Sequence, residues 1–142
     1  SCHKLPQITI DGDEITCGIQ SFYPCSSIQN ISILGNKQTI IGSQSFFRCA
    51  GLVNLSITGN SVSIGSETFN GCPNLKTISI ETEEEISIGY RSFFSCAKLE
   101  DLTIESNTIS IGEQSFGSCG LLSDVIIDGK IQQLVSMRSH QF

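Results

Sequence analysis

Positive charge, histidine and long hydrophobic runs are all scarce in this sequence, and each scarcity excludes a class of function. Lysine and arginine number 8 against 14 aspartates and glutamates, which gives a net charge of −6. Binding to a nucleic-acid backbone or to an anionic lipid surface requires clustered positive charge. No apolar run approaches the roughly 18 residues of a membrane span. We therefore predict no nucleic-acid partner and no direct membrane insertion.

The scarcity of histidine bears on catalysis and metal binding. His3 and His140 lie at opposite ends of the chain, and one of them would have to reach a structured pocket to form a Ser–His or Cys–His pair. No closely spaced C-x-x-C pair of zinc ligands occurs. The acidic segments "ETEEEIS" and "DGDE" lack the EF-hand pattern and fit solvated loops better than calcium sites. The prediction is a non-enzymatic chain with no catalytic residues, metal or cofactor.

Tryptophan is absent and methionine occurs once, whereas isoleucine is frequent. Because β-branched residues favour pleated, packed surfaces, this apolar composition favours strands over helices. The chain also lacks a signal-peptide pattern and an initiator methionine, so we expect it to be a piece of a longer protein.

Three residue types recur along the chain with one shared period. The cysteines of the repeat differ in position by 23, 24, 23, 24 and 23 residues. Glycine and phenylalanine keep the same step, which chance does not produce in three residue types at once. The three columns are Cys2, Cys25, Cys49, Cys72, Cys96 and Cys119; Gly18, Gly42, Gly65, Gly89 and Gly112; and Phe22, Phe46, Phe69, Phe93 and Phe116.

One unit, written from Cys72, reads C-x-x-L-x-x-I-x-I, a variable loop, and then I-x-I-G-x-x-S-F-x-x-C. The alternating isoleucines predict two short strands with the loop between them, and the loop holds the one-residue difference between 23 and 24. Phe69, Cys72 and Leu75 lie three apart, which predicts a helical or 3₁₀ turn after the glycine corner. We predict a β-solenoid of about six coils, with one shared core, over residues 1–127 and an irregular coil or cap over 128–142.

The segments "VSIGSETFNGCPNLKTISI" and "ISIGYRSFFSCAKLEDLTI" resemble the BspA-type (Treponema-type) leucine-rich repeat. The resemblance covers residues 2 to about 127 and implies a leucine-rich-repeat β-solenoid. Two features depart from the family pattern: the usual proline after the strand is missing, and serine or threonine replaces the usual alanine before phenylalanine. The second set is Ser21, Ser45, Thr68, Ser92 and Ser115, and we interpret both departures as lineage drift.

Stacked coils would place equivalent cysteines about 4.8 Å apart, within reach of a disulfide. Ladder side chains point the same way, however, so we expect a buried column of free thiols. This structural ladder comprises Cys25, Cys49, Cys72, Cys96 and Cys119, beside Phe46, Phe69, Phe93 and Phe116. Cys17 occupies an isoleucine position and is expected to be a small buried hydrophobe.

The outward positions of the first strand form the candidate binding face. They are small, polar and slightly acidic, and they lack the Trp, Tyr and Arg residues that often anchor interfaces. A hydroxyl ladder that merely suits exposed strands is an equally good interpretation. The face comprises Asn30, Ser32, Asn54, Ser56, Thr77, Ser79, Asp101 and Thr103, and two glycosylation sequons, at Asn30 and Asn54, lie on it.

The resemblance implies a cell-surface or secreted, adhesin-like protein that binds host matrix or cell-surface proteins. The alternative hypothesis is a cytoplasmic scaffold or regulatory interaction domain, which free thiols would suit equally well. Because solenoids need capped ends, we also expect a longer array or end-to-end self-association.

Overall fold

The computed structural model of the protein describes residues 6–23 and 25–134. Six strands form one parallel sheet in sequential order, so each strand pairs with the next strand along the chain. Each strand and the connection to the next make one turn of a β-solenoid, about five turns in all. The strands are β1 (Gln7–Cys17), β2 (Asn30–Ile41), β3 (Asn54–Ile64), β4 (Thr77–Ile88), β5 (Asp101–Ile111) and β6 (Asp124–Leu134).

Each strand of 11 or 12 residues runs through the segment that the sequence predicts as a loop between two short strands. Pairing between neighbouring strands shifts register inside that segment, for example between Gly59 and Ser61 on β3. Glu81, Glu83, Glu84 and Glu85 therefore lie on β4 rather than in a separate loop. The prediction of two strands is wrong in this respect, because backbone pairing with the neighbouring coils continues through polar residues. The one-residue difference between coils is accommodated at these irregularities.

The interior is built from in-register apolar columns, as the repeat predicts. Ile57, Ile80 and Ile104 are paired across β3, β4 and β5 and are fully buried. The phenylalanine column forms a continuous stack whose neighbouring ring centroids lie 4.8–5.2 Å apart. One contiguous core therefore runs along the solenoid axis.

The segment after each corner glycine is a succession of turns in place of the predicted helical or 3₁₀ turn. Gln44 and Arg48 have φ angles of 58° and 54°, which a right-handed helix excludes. The N–H groups of Cys49 and Leu52 bond to carbonyls three residues earlier, and these turn bonds produce the spacing of three.

We call this part of each coil the turn wall. At three alternate positions of the wall, the backbone N–H group donates to the following coil. The N–H groups of Gln44, Phe46 and Arg48 donate to carbonyls of the following coil. In the next two coils, the N–H groups at the three equivalent positions also donate to carbonyls of the following coil. The turn wall is therefore a hydrogen-bonded layer in its own right, opposite the sheet across the core.

The glycine column marks the corner between sheet and turn wall. A Cβ atom placed on Gly65 would lie 2.7 Å from the backbone nitrogen of Ser43, and one on Gly89 would lie 2.9 Å from the carbonyl carbon of Gly65. These distances are shorter than van der Waals contact, so the predicted role of glycine at the corner is confirmed. The coils approach one another too closely here for any side chain.

One buried hydroxyl in the core lacks a hydrogen-bond partner among the described residues. Thr39 occupies a position taken by isoleucine or valine in the neighbouring coils, and its Oγ1 is unsatisfied. We expect Thr39→Val to raise the free energy of unfolding by about 1–2 kcal/mol, because the unpaired hydroxyl is removed with little change of shape. Urea unfolding followed by circular dichroism measures the change.

Thr68→Val is the matched control, because Thr68 is equally buried but its Oγ1 donates to the carbonyl of Gly65 at 2.7 Å. That variant should be destabilised. Equal effects of the two substitutions would contradict the assignment of Thr39 as unsatisfied.

The sheet continues past the expected boundary at residue 127, since β6 extends to Leu134 and pairs with β5. The rest of the expected cap, residues 135–142, and the first five residues lie outside the described part of the chain. Val125 and Ile131 of β6 are 39% and 45% exposed, whereas their partners Leu102 and Ile109 on β5 are fully buried.

Candidate protein-binding surface

The predicted binding face is a set of in-register positions on the outer surface of the sheet. One column pairs Asn30, Asn54, Thr77 and Asp101 across β2 to β5. The second pairs Ser32, Ser56, Ser79 and Thr103, two residues further along the same strands. All eight side chains are exposed or half-buried. The structure thus places the eight predicted residues on one continuous strip, which we call the strand face.

Hydrogen bonds join the first column across the coils. The Nδ2 of Asn54 donates to the Oδ1 of Asn30 at 2.8 Å, and the hydroxyl of Thr77 donates to the Oδ1 of Asn54 at 2.6 Å. These bonds orient the two amides, so the face presents fixed donors and acceptors. They also engage the nitrogen of Asn54, the atom that a glycan would modify.

The C-terminal end of the strand face is acidic. Asp101 lies beside Asp124 of β6 in the parallel register. Desolvation, a hydrogen bond with Asp124 and the nearby negative charge of that residue raise the pKa of Asp101. Lys76 opposes this shift. The face therefore changes from neutral amides at β2 and β3 to clustered carboxyl groups at β5 and β6.

A groove of about 560 Å³ runs beside the strand face, where the strands shift register. Carboxylates from three strands line it, together with small residues such as Gly59 and Ser106. The carboxylates belong to Glu81, Glu83, Glu105 and Asp128. The sequence predicts only solvated acidic segments here, because the groove depends on how bulged strands stack. The strand face and the groove together offer a partner one broad, polar, acidic surface.

The cysteine column lies inside the solenoid and takes no part in this surface. The thiols of Cys72, Cys96 and Cys119 donate to the carbonyls of Phe46, Phe69 and Phe93, at 3.4, 3.4 and 3.2 Å. Each carbonyl belongs to the preceding coil, so the thiols tie neighbouring coils together. Cys49 makes a longer contact with Phe22, and Cys17 is buried as expected.

One member of the column departs from the expected free-thiol ladder. Cys25 is disulfide-bonded, whereas Cys17, Cys49, Cys72, Cys96 and Cys119 keep their thiol groups. The expectation rested on side chains that point the same way in stacked coils. The expectation of a free thiol is therefore wrong at Cys25, the first described member of the column.

Burial keeps the column thiols protonated. Desolvation raises the pKa of Cys49 from its ordinary value of 9.0 to about 11. The pKa values of Cys72 and Cys96 are raised further, chiefly by burial. Because the thiolate is the reactive form, these side chains are poor nucleophiles and poor metal ligands.

The raised thiol pKa values predict a fall in stability at alkaline pH. Above about pH 9 the unfolded chain releases thiol protons that the folded protein retains, so each thiol should lower the free energy of unfolding by about 1.4 kcal/mol per pH unit. The contribution is fully present below pH 9 and is lost as the pH rises towards the folded-state pKa. Urea unfolding between pH 7 and about 10.5 tests this.

The control is the double variant Cys72→Ala/Cys96→Ala. Because cavities will lower its stability at every pH, the comparison uses the slope of the unfolding free energy against pH rather than its absolute value. Above about pH 9, its free energy of unfolding should fall less steeply with pH, by the equivalent of about two protons. The same slope in both proteins would contradict a role for these thiols.

The serine or threonine column before phenylalanine has a role that the sequence analysis missed. The hydroxyl of Ser92 lies 2.8 Å from the carbonyl of Gly89 and 2.9 Å from that of Gly65, in the preceding coil. Ser45, Thr68 and Ser115 make the equivalent pair of contacts. These buried hydroxyls bridge the glycine corners of adjacent coils, so the departure from alanine is structural rather than neutral drift.

Within residues 6–23 and 25–134, no group of three or more His, Cys, Asp or Glu side chains is arranged to hold a metal ion. Over the same residues, no helix is long and apolar enough to cross a membrane.

Comparison with known families agrees with the stacked geometry. A sequence profile described as the BspA-type leucine-rich repeat region matches residues 15–138, with six copies of the repeat. The chain belongs to the BspA-type leucine-rich-repeat family. No curated protein and no solved structure matches it.

Membership in the BspA-type family confirms the fold that the repeat predicts. Leucine-rich-repeat solenoids generally act as protein-interaction modules, since stacked coils create an extended surface from equivalent positions. In this BspA-type protein the strand face with its acidic groove is a continuous surface of that kind.

Proposed function

We propose that the protein is a non-enzymatic recognition module that binds other proteins through the strand face and the adjoining groove. The observation that carries the proposal is the in-register strip from Asn30 to Asp101, whose amides are oriented by hydrogen bonds between coils. Such a strip offers a partner a rigid array of donors and acceptors, and rigid arrays lose little entropy on binding.

The proposed setting is a cell-surface or secreted, adhesin-like protein whose partners are host matrix or neighbouring-cell proteins. Family membership supports this setting. The disulfide at Cys25 supports it too, because disulfides persist mainly in oxidising compartments. The second candidate is a cytoplasmic scaffold, favoured by the five described cysteines that keep their thiol groups. Because these are buried, they are compatible with either compartment.

The test immobilises the protein and measures binding of purified collagen, fibronectin and laminin by biolayer interferometry. In Ser56→Arg/Ser79→Arg, two bulky cations stand in the centre of the strand face. We expect this double variant to bind at least about tenfold more weakly, because contacts at an interface centre carry most of the binding energy.

Ser63→Arg/Ser87→Arg is the matched control, since Ser63 and Ser87 are paired on the same two strands beyond the groove. It adds the same charges and should bind like the wild type. Loss of binding only in the control would move the site to that part of the sheet. Failure of all three matrix proteins to bind would reject the host-matrix hypothesis.

A further inference from the structure

The turn wall carries exposed or half-buried aromatic and arginine side chains, the residue types that the strand face lacks. The guanidinium carbon of Arg91 lies 4.6 Å from the ring centroid of Phe94 and 5.1 Å from that of Tyr90. Its Nε donates to the Oε1 of Gln114 in the next coil at 2.6 Å. We call Tyr90, Arg91 and Phe94 the turn cluster. Tyr90 is 42% exposed, so the cluster reaches solvent.

The turn cluster is held in place from both sides. Phe94 packs on Gly117 of the following coil, where a Cβ would lie 2.7 Å from the ring. Any larger residue at position 117 would displace the ring on which Arg91 stacks. The glycine and the bond to Gln114 together fix the plane of the guanidinium, which lowers the entropy that it loses on binding.

A second arginine on the turn wall is arranged in the same way. The guanidinium carbon of Arg48 lies 5.2 Å from the ring centroid of Phe47. That ring is in turn 5.7 Å from the ring of Tyr23, which is 45% exposed. Among the described residues, the two ion pairs are formed by Lys37 and Lys76, and neither arginine has a carboxylate partner.

Two arginines stacked on aromatic rings, with no acidic partner in the described part of the chain, form a surface complementary to carboxylates. The Nε of Arg91 is already engaged, so its terminal nitrogens remain to donate to a carboxylate. Exposed tyrosine and phenylalanine beside arginine are enriched where proteins bind one another. Apolar side chains flanking the carboxylate would pack against these rings.

We propose that the turn cluster is a second binding surface, which accepts a protein segment with adjacent carboxylates flanked by apolar side chains. It lies on the opposite side of the core from the strand face and does not depend on the function proposed for that face. Variants in the two surfaces therefore test the two proposals separately.

The probe is a capped peptide with the core Leu-Glu-Glu-Leu, titrated into the ¹⁵N-labelled protein and followed by NMR. We expect shifts in the Nε–Hε signal of Arg91 and in the rings of Tyr90 and Phe94 by about 1 mM peptide, the range of weak recognition. The Leu-Gln-Gln-Leu peptide should leave these signals unchanged.

In Arg91→Met the apolar stem is kept and the charge is lost, so the acidic peptide should bind at least about fivefold more weakly. Lys98→Met removes one positive charge from a different groove, which Lys98 lines. This control variant should bind the acidic peptide as the wild type does. Retained dispersion of the amide spectrum shows that each variant is folded.

Three results would overturn the proposal. They are the absence of shifts in the turn cluster at about 1 mM peptide, equal weakening by both substitutions, and equal binding of the glutamine peptide. If the NMR signals of the turn cluster instead shift with protein concentration in the absence of peptide, the surface binds a second copy of this chain.

Discussion

Replacing Phe69 with alanine is expected to lower the free energy of unfolding by about 3–5 kcal/mol. Phe69 is fully buried, and its ring stacks on those of Phe46 and Phe93 with centroid distances of 5.1 Å on both sides. The substitution leaves a cavity at the centre of the stack, which coils fixed by backbone pairing cannot close. Because domains are stable by only about 5–15 kcal/mol, urea unfolding should show a large shift of the midpoint.

Phe47→Ala is the control for Phe69→Ala. Phe47 directly follows Phe46 in the sequence, but its side chain is half-buried on the outside of the turn wall. Its loss should cost about 1 kcal/mol, since less apolar surface returns to water. Equal costs at the two positions would mean that the stack is not the centre of the core.

Gly89→Ala should lower the free energy of unfolding by about 1–3 kcal/mol, the usual cost of forcing atoms into a packed region. The new methyl group would lie 2.9 Å from the backbone of Gly65 and Ser66, so two coils must separate at the corner. In a solenoid, stability depends on the interfaces between neighbouring repeats. We therefore also expect a broader transition, with coils on the two sides of residue 89 unfolding less cooperatively.

Gly120→Ala is the matched control, because no atom of residues 6–23 or 25–134 lies within 4 Å of a Cβ placed there. The same substitution should be neutral or slightly stabilising at this position, since alanine restricts the unfolded chain. Hydrogen exchange resolved along the chain would show whether Gly89→Ala weakens protection around its own corner. Uniform loss of protection over all coils would contradict a local origin.

The core columns could be predicted from the sequence because every coil must place the same residue type at the same point. A period shared by Cys, Gly and Phe therefore identifies the positions that stack, and the glycine column identifies where coils approach most closely. The strip from Asn30 to Asp101 follows from the same register. These features depend on repetition, which a single sequence displays in full.

The features that could not be predicted depend on contacts between coils rather than on the period. Glu81–Glu85 lacks the alternation of a strand, and pairing with neighbouring coils is what extends β4 through it. A spacing of three is shared by helices and successive turns, and Gln44 is not a residue type that signals positive φ. The stacking of Arg91 on Phe94 requires the small Gly117 in the next coil, which no local pattern shows.

The forward bonds at the three alternate positions of the turn wall give that row of peptide groups a local electrical polarity. At these positions, in each interface from the coil of Gln44 to that of Gln114, the N–H groups point towards the C-terminal end and the accepting carbonyls towards the N-terminal end. Peptide dipoles aligned in this way add, as they do along a helix. Within the described coils, the C-terminal side of this row is therefore its positive pole and the N-terminal side is its negative pole.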